Sequence, residues 1–198
     1  LWRTFGSGTG FSVNEMNQRL EISLPGTTSG TAGVVGQFAL RGDFDMQVDF
    51  ILLTWPNGNG TEIGLGFNKI SSNVLIAGVA LFGAHDGHNQ VYYAETSAGF
   101  GSSVETNIAQ GGSGSFRITR TGNTIDCYFM GPTNWVNVAH FTDPSLAIDG
   151  TFLLPCGLSQ ETTPGGSPVK VAFDNFKLQY DRAVPIPISS AFLLLLLD

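Results

Sequence analysis

The amino-acid sequence predicts an all-β fold, with two antiparallel sheets stacked face to face as a sandwich. Three observations carry this. Apolar and polar residues alternate with period two, as in Phe44, Met46, Val48 and Phe50 against Asp43, Asp45, Gln47 and Asp49. Turn residues interrupt the alternation at short intervals, as at residues 56–60 (PNGNG) and at Gly122-Asn123. No stretch shows the apolar spacing of an amphipathic helix.

Arg19–Leu24 (RLEISL) reads as a short strand closed by Pro25-Gly26. Residues 36–55 are long enough for two strands, with a break expected near Arg41-Gly42. Further strands are expected at 62–67, 74–84 and 90–96. The middle one, VLIAGVALFGA, is almost wholly apolar, which suits a central strand covered on both faces. Residues 111–114 read as a flexible link. A three-strand meander then covers 115–121, 124–130 and 135–141, with turns at Gly122-Asn123 and 131–134. Strands at 151–159 and 169–180 complete a single sandwich domain over residues 1–180, leaving 181–198 as an apolar tail. A chain of 198 residues holds one such domain with a full core.

Charged residues make up 13% of the chain, about half the usual share, so Gly, Ser, Thr and Asn carry its polarity. That composition suits a secreted or cell-surface protein rich in tight turns. The net charge of -7 and the scattered Lys and Arg exclude a nucleic-acid partner and disfavour an anionic lipid surface. Cys127 and Cys156 both fall on inward positions of alternating runs. Two buried thiols and one disulfide fit that placement equally, and no CxxC spacing is present.

Four segments in order resemble the concanavalin A-like jelly-roll superfamily, and laminin-G-like and related bacterial sandwich domains within it. They are RLEISLP, GDFDMQVDF, FRITRTGNTIDCYF followed by NWVNVAHF, and VAFDNFKLQ. The resemblance covers about residues 1–180. It implies a jelly-roll sandwich and a structural calcium held by carboxylates and carbonyls, with Asp174 and Asn175, or Asp143 and Asp149, as its ligands. Related jelly rolls include glycoside hydrolases with paired carboxylates on a strand reading E-x-D-x-x-E. Asp43, Asp45 and Asp49 occupy the equivalent strand, but no Glu is present and the spacing differs.

No other catalytic set is complete. There is no GxSxG, and Glu62, Glu95, Glu105 and Glu161 are isolated. His85, Asp86 and His88 in AHDGHN read as a polar turn or a metal-binding loop, and His140 reads as structural. Sugar binding needs aromatic faces beside hydrogen-bonding groups. Trp55, Tyr92, Tyr93, Tyr128 and Trp135 supply the first, and Asn89, Gln90 and Asn134 the second. The same aromatics also suit the core or its rim.

The tail is uncharged from Ala183 to Leu197. Val184-Pro185-Ile186-Pro187 before an apolar run resembles the start of bacterial C-terminal sorting signals of the PEP-CTERM and VPxP type. The run is too short to span a bilayer. Membrane contact therefore enters only as a truncated anchor. Val184, Pro185, Ile186, Pro187, Ile188, Phe192, Leu193, Leu194 and Leu195 are expected to seat in a neighbouring copy, giving a homo-oligomer or polymer. The expectation is a non-catalytic, self-assembling surface protein. The alternatives are a carbohydrate-binding or adhesion module and a divergent glycoside hydrolase.

Overall fold

The computed structural model describes residues 2–27, 29–55, 60–69, 74–83, 90–96, 99–142, 152–153, 155–160 and 168–185. Strands dominate them, with no helix. In chain order they are β1 (Trp2–Ser7), β2 (Ser12–Met16), β3 (Arg19–Leu24), β4 (Gly30–Gly36), β5 (Phe38–Thr54), β6 (Thr61–Lys69), β7 (Val74–Phe82) and β8 (Val91–Thr96). They continue with β9 (Gly99–Glu105), β10 (Ser113–Thr121), β11 (Thr124–Met130), β12 (Trp135–Thr142), β13 (Phe152–Leu153), β14 (Pro155–Gln160) and β15 (Val169–Pro185).

Two antiparallel layers result. Sheet I runs β2-β3-β15-β5-β10-β11-β12, and sheet II runs β1-β4-β14-β6-β7-β8-β9. The short β13 joins them at one corner, where Phe152 pairs with both Leu40 and Lys69.

The period-two pattern sets which face of each layer is covered. On β5, Phe44, Met46, Val48, Phe50 and Leu52 are buried, while Asp43, Asp45, Gln47 and Asp49 point outward. Phe116 and Ile118 of β10 continue the inner face of sheet I, with Ile125, Cys127 and Phe129 of β11. Ile63, Leu65, Phe67, Val79, Leu81 and Tyr92 oppose them from sheet II. The Tyr92 ring stacks on Phe129 at 4.0 Å between centroids and meets Phe116 edge-on at 6.2 Å. Each such side chain contributes roughly 1.5–3 kcal/mol by leaving water.

Two charged side chains are buried among the described residues: Arg120, 5% exposed, whose Nη1 donates to the Gly42 carbonyl, and Glu21. Glu21 is 3% exposed and accepts from Lys170 Nζ at 2.6 Å and from Arg19 Nη2 at 2.8 Å. The hydrogen bond from Lys170, then that from Arg19, hold its carboxyl down at about 2.

Several sequence expectations need correction. β5 is continuous through the expected break, because Gly42 adopts φ 75 and absorbs a bulge. A Cβ there would lie 2.6 Å from Asp181 Oδ2, the atom that accepts the Asp43 N–H at 2.9 Å. The expected link at 111–114 already contains the start of β10. The domain does not end at Tyr180. β15 runs to Pro185, and Arg182, Ala183, Val184 and Pro185 pair with Arg41, Leu40, Ala39 and Phe38 of the same chain. Val184 and Pro185 are therefore part of the sandwich and not of a free assembly tail. Ile186, Pro187, Ile188, Phe192, Leu193, Leu194 and Leu195 lie outside the described residues. Cys127 is a free, buried thiol, so the disulfide alternative is not realised. It lies on β11 of sheet I, whereas Cys156 lies on β14 between β4 and β6 of sheet II.

Candidate functional site

The outer face of sheet I gathers most of the chemistry in the described residues. Register places Lys177, Gln47, Arg117, Tyr128 and Asn137 in one row across β15, β5, β10, β11 and β12. The row on one side is Gln179, Asp45, Thr119, Asp126 and His140. On the other side Asp174 faces Asp49, which faces Ser115. Alternation carries these residues outward because their neighbours fill the core.

Arg117 is the centre of the face. Its Nε donates to Asp45 Oδ1 at 2.9 Å and its Nη2 to Asp45 Oδ2 at 2.5 Å. The bidentate hydrogen bond to Asp45 pushes the guanidinium pKa up, so it stays charged. The same guanidinium lies 5.7 Å from the centroids of both Tyr128 and Trp135. This fork-and-ring arrangement fixes two aromatic side chains and one carboxylate relative to one another. Asp126 is ordered too, with Oδ1 accepting Asn137 Nδ2 at 2.9 Å and lying 2.7 Å from His140 Nδ1.

Two depressions flank this row. One, of about 630 Å³, is lined by Asp43, Asp45, Arg117, Asp126, Tyr128 and Tyr180 among others. The second, of about 610 Å³, sits where β11 turns away from β10. Asp49, Ser115, Asp174, Asn175, Tyr92 and Met130 contribute to it. Asp49 accepts Ser115 Oγ at 2.6 Å and Asn175 Nδ2 at 2.9 Å. Asn175 adopts φ 50 at a bulge in β15, where an extra residue opposes β5.

The sequence-predicted residues divide among several places. Tyr128 and Trp135 meet at Arg117, and Asn134 sits in the adjoining turn with its Nδ2 3.4 Å from the Trp135 carbonyl. Asp174 and Asn175 lie beside Asp49, but no metal-holding cluster of His, Cys, Asp or Glu occurs among the described residues. Asp143, Asp149, His85, Asp86, His88 and Asn89 lie outside those residues. Trp55 and Tyr92 are core residues, 4% and 3% exposed, so neither presents a ring face to a ligand. Burial also raises the Tyr92 hydroxyl pKa. Gln90 clamps the chain internally, donating to the Ile108 carbonyl and accepting its N–H. Sequence reasoning passed over Arg117. Its signal was the paired alternation of FRITRT with GDFDMQVDF, which puts Arg and Asp on matching faces.

Tyr93 belongs to the opposite surface, the outer face of sheet II, where it is 7% exposed beside Phe82. There Phe5, Gly33, Gly157, Gly64, Ala80 and Tyr93 fall in one row across six strands. The small residues leave a shallow trough of about 150 Å³, bordered by Glu62 and Glu95. A Cβ on Gly157 would lie 2.8 Å from the Ala32 carbonyl oxygen, so this floor admits no side chain at that point.

No family model and no curated protein matches the chain. Solved structures do match in shape. The carbohydrate recognition domain of Emp46p, in its potassium-bound form, has a TM-score of 0.63 at 10% identity, over 91% of this chain and 88% of that one. A Bacillus subtilis protein of unknown function with a galectin-like fold has a TM-score of 0.60 at 10% identity, over 92% and 90%. A sialidase has a TM-score of 0.63 at 11% identity over 91% of this chain, which spans only 17% of the sialidase. Alginate lyases are also among the matches. The fold is therefore the concanavalin A-like jelly roll, and at these identities the likeness extends to the fold alone.

Proposed function

We propose that this chain is a non-catalytic, extracellular or cell-surface glycan-binding module that holds its ligand on the outer face of sheet I. The observation that carries this reading is Arg117, clamped by Asp45 and set against Tyr128 and Trp135. A sugar ring presents apolar C–H faces and a rim of hydroxyls. Ordered aromatic rings suit the first, and ordered carboxylates and amides the second. Asp45, Asp49, Asp126 and Asn137 are all held in place by their own hydrogen bonds. Carboxylates outnumber cations on this face, so a neutral glycan suits it better than an acidic one. The jelly-roll likeness to a carbohydrate recognition domain supports the same class of ligand.

The non-catalytic part rests on how the face's carboxylates are engaged. Asp43 accepts the Gly122 N–H, Asp45 the Arg117 fork, and Asp49 the Ser115 hydroxyl. These contacts hold the three carboxylates as fixed acceptors within the face.

A glycan array followed by titration calorimetry tests the reading. Neutral oligosaccharides are expected to bind without being cleaved, and Trp135→Ala or Tyr128→Ala to weaken them by about tenfold, the worth of one stacking ring. Uniformly negative arrays, or binding indifferent to both variants, would refute it.

A further inference from the structure

A separate cavity opens between the two sheets at the end bearing the β2–β3 turn. Its volume is about 320 Å³. Its walls come from both layers. Val34 projects from β4 of sheet II, while Leu20, Val48 and Phe173 project from β3, β5 and β15 of sheet I. Val34, Val48 and Phe173 are 8%, 1% and 3% exposed, so the cavity reaches the sandwich core. Trp2 stands at its mouth, 36% exposed, with its ring edge-on to Phe176 at 4.9 Å and to Phe38 at 5.9 Å. Interiors are normally filled to crystal-like density, and unfilled apolar space of about 150 Å³ already admits a benzene ring.

The rim is polar. Glu15, Gln18, Arg19, Asp174 and Asn175 surround the opening. Arg19 turns its Nε and Nη2 inward onto Glu21 Oε1, at 3.0 and 2.8 Å. Its charge is thus spent on a buried carboxylate, whereas Glu15 and Asp174 bring negative charge to the mouth. Asn17 and Gln18, both at positive φ, form the tight turn that carries this rim over the cavity.

We propose that this cavity is a binding site for a small uncharged amphiphile, an apolar body of about two fused rings carrying a hydroxyl donor. The rings would lie against Val34, Val48, Leu20 and Phe173, with Trp2 closing over them. The hydroxyl would donate to the carboxylate and amide oxygens of the rim, and an anionic head in the same place would face Glu15 and Asp174. The cavity shares Asp174 and Asn175 with the margin of the glycan face but uses none of that face's aromatic residues.

The test is methyl and indole NMR on the full chain, titrated near neutral pH with 2-naphthol and, separately, with 2-naphthoate. The expected result is saturable shifts at the Val34, Val48 and Leu20 methyls and the Trp2 indole with 2-naphthol, and about tenfold weaker binding of 2-naphthoate. Val34→Phe fills the cavity and is expected to abolish those shifts. Trp2→Ala lies at the exposed mouth, leaves the core intact and is expected to weaken binding severalfold. Absence of saturation, equal binding of both probes, or titrations unchanged by Trp2→Ala would show a mere gap in the core and overturn the proposal.

Discussion

Arg117 and Asp45 face each other diagonally across β10 and β5, joined by two parallel hydrogen bonds of 2.9 and 2.5 Å. Their side chains are 29% and 33% exposed, so water screens the pair. Its value lies in positioning more than in stability. Asp45→Asn is expected to cost about 0.5–1 kcal/mol in denaturant melts. Glycan affinity should fall by a larger factor, because the guanidinium no longer holds Tyr128 and Trp135. A loss of affinity no greater than the loss of stability would remove Arg117 from the binding role.

Glu21 makes stability depend on acid. Its carboxyl is held at about 2 in the folded chain against 4.5 unfolded, chiefly by the hydrogen bond from Lys170 and then by that from Arg19. The unfolded chain takes up this proton first. The stabilisation is therefore complete above about pH 4.5 and drains away as pH falls toward 2. Urea melts across that window should show wild-type stability declining, and a flatter profile for Glu21→Gln. That variant should lose about 1–2 kcal/mol near neutral pH, since Lys170 and Arg19 remain partly solvated.

Cys127 should be inert while the chain is folded. Burial, and then the neighbouring Asp126 charge, push its thiol up to about 12, which leaves almost no thiolate at neutral pH. Alkylation read by peptide mass spectrometry is expected to spare Cys127 in buffer and modify it in denaturant. A Cys127–Cys156 linked peptide would contradict the free thiol.

Gly114 is required by the core and not by a turn. A Cβ there would sit 2.5 Å from Phe50 Cζ and 2.6 Å from the Tyr92 hydroxyl, two rings already stacked against Phe116 and Phe129. Gly114→Ala is expected to cost about 1–3 kcal/mol by chemical denaturation. A neutral effect would mean these rings have room to shift.

Strands with clean alternation were legible from sequence, and β3 and β11 match their expected bounds residue for residue. β4 (GTAGVVG) was not, because its glycines serve close backbone approach. A Cβ on Gly30 would lie 2.7 Å from the Ser7 carbonyl oxygen, a neighbour that local sequence does not reveal. β1, β2 and β9 were passed over as well. They pair at sheet margins, where one-sided burial leaves a weaker pattern. The end of β15 was misjudged because Val184 and Pro185 read as tail, whereas their partners Ala39 and Phe38 are about 145 residues away. At the site, the aromatic residues were visible but their division into core and surface was not. Trp55, Tyr92, Tyr128 and Trp135 differ in which way a strand turns them, and registry across strands decides that.

Amide chemical-shift mapping during titration with a neutral oligosaccharide tests the sheet I site most directly. Saturable shifts should concentrate on Asp45, Arg117, Tyr128, Trp135 and Asn137. Shifts concentrated instead on Phe5, Gly64 and Gly157 of sheet II, or none that saturate, would contradict it.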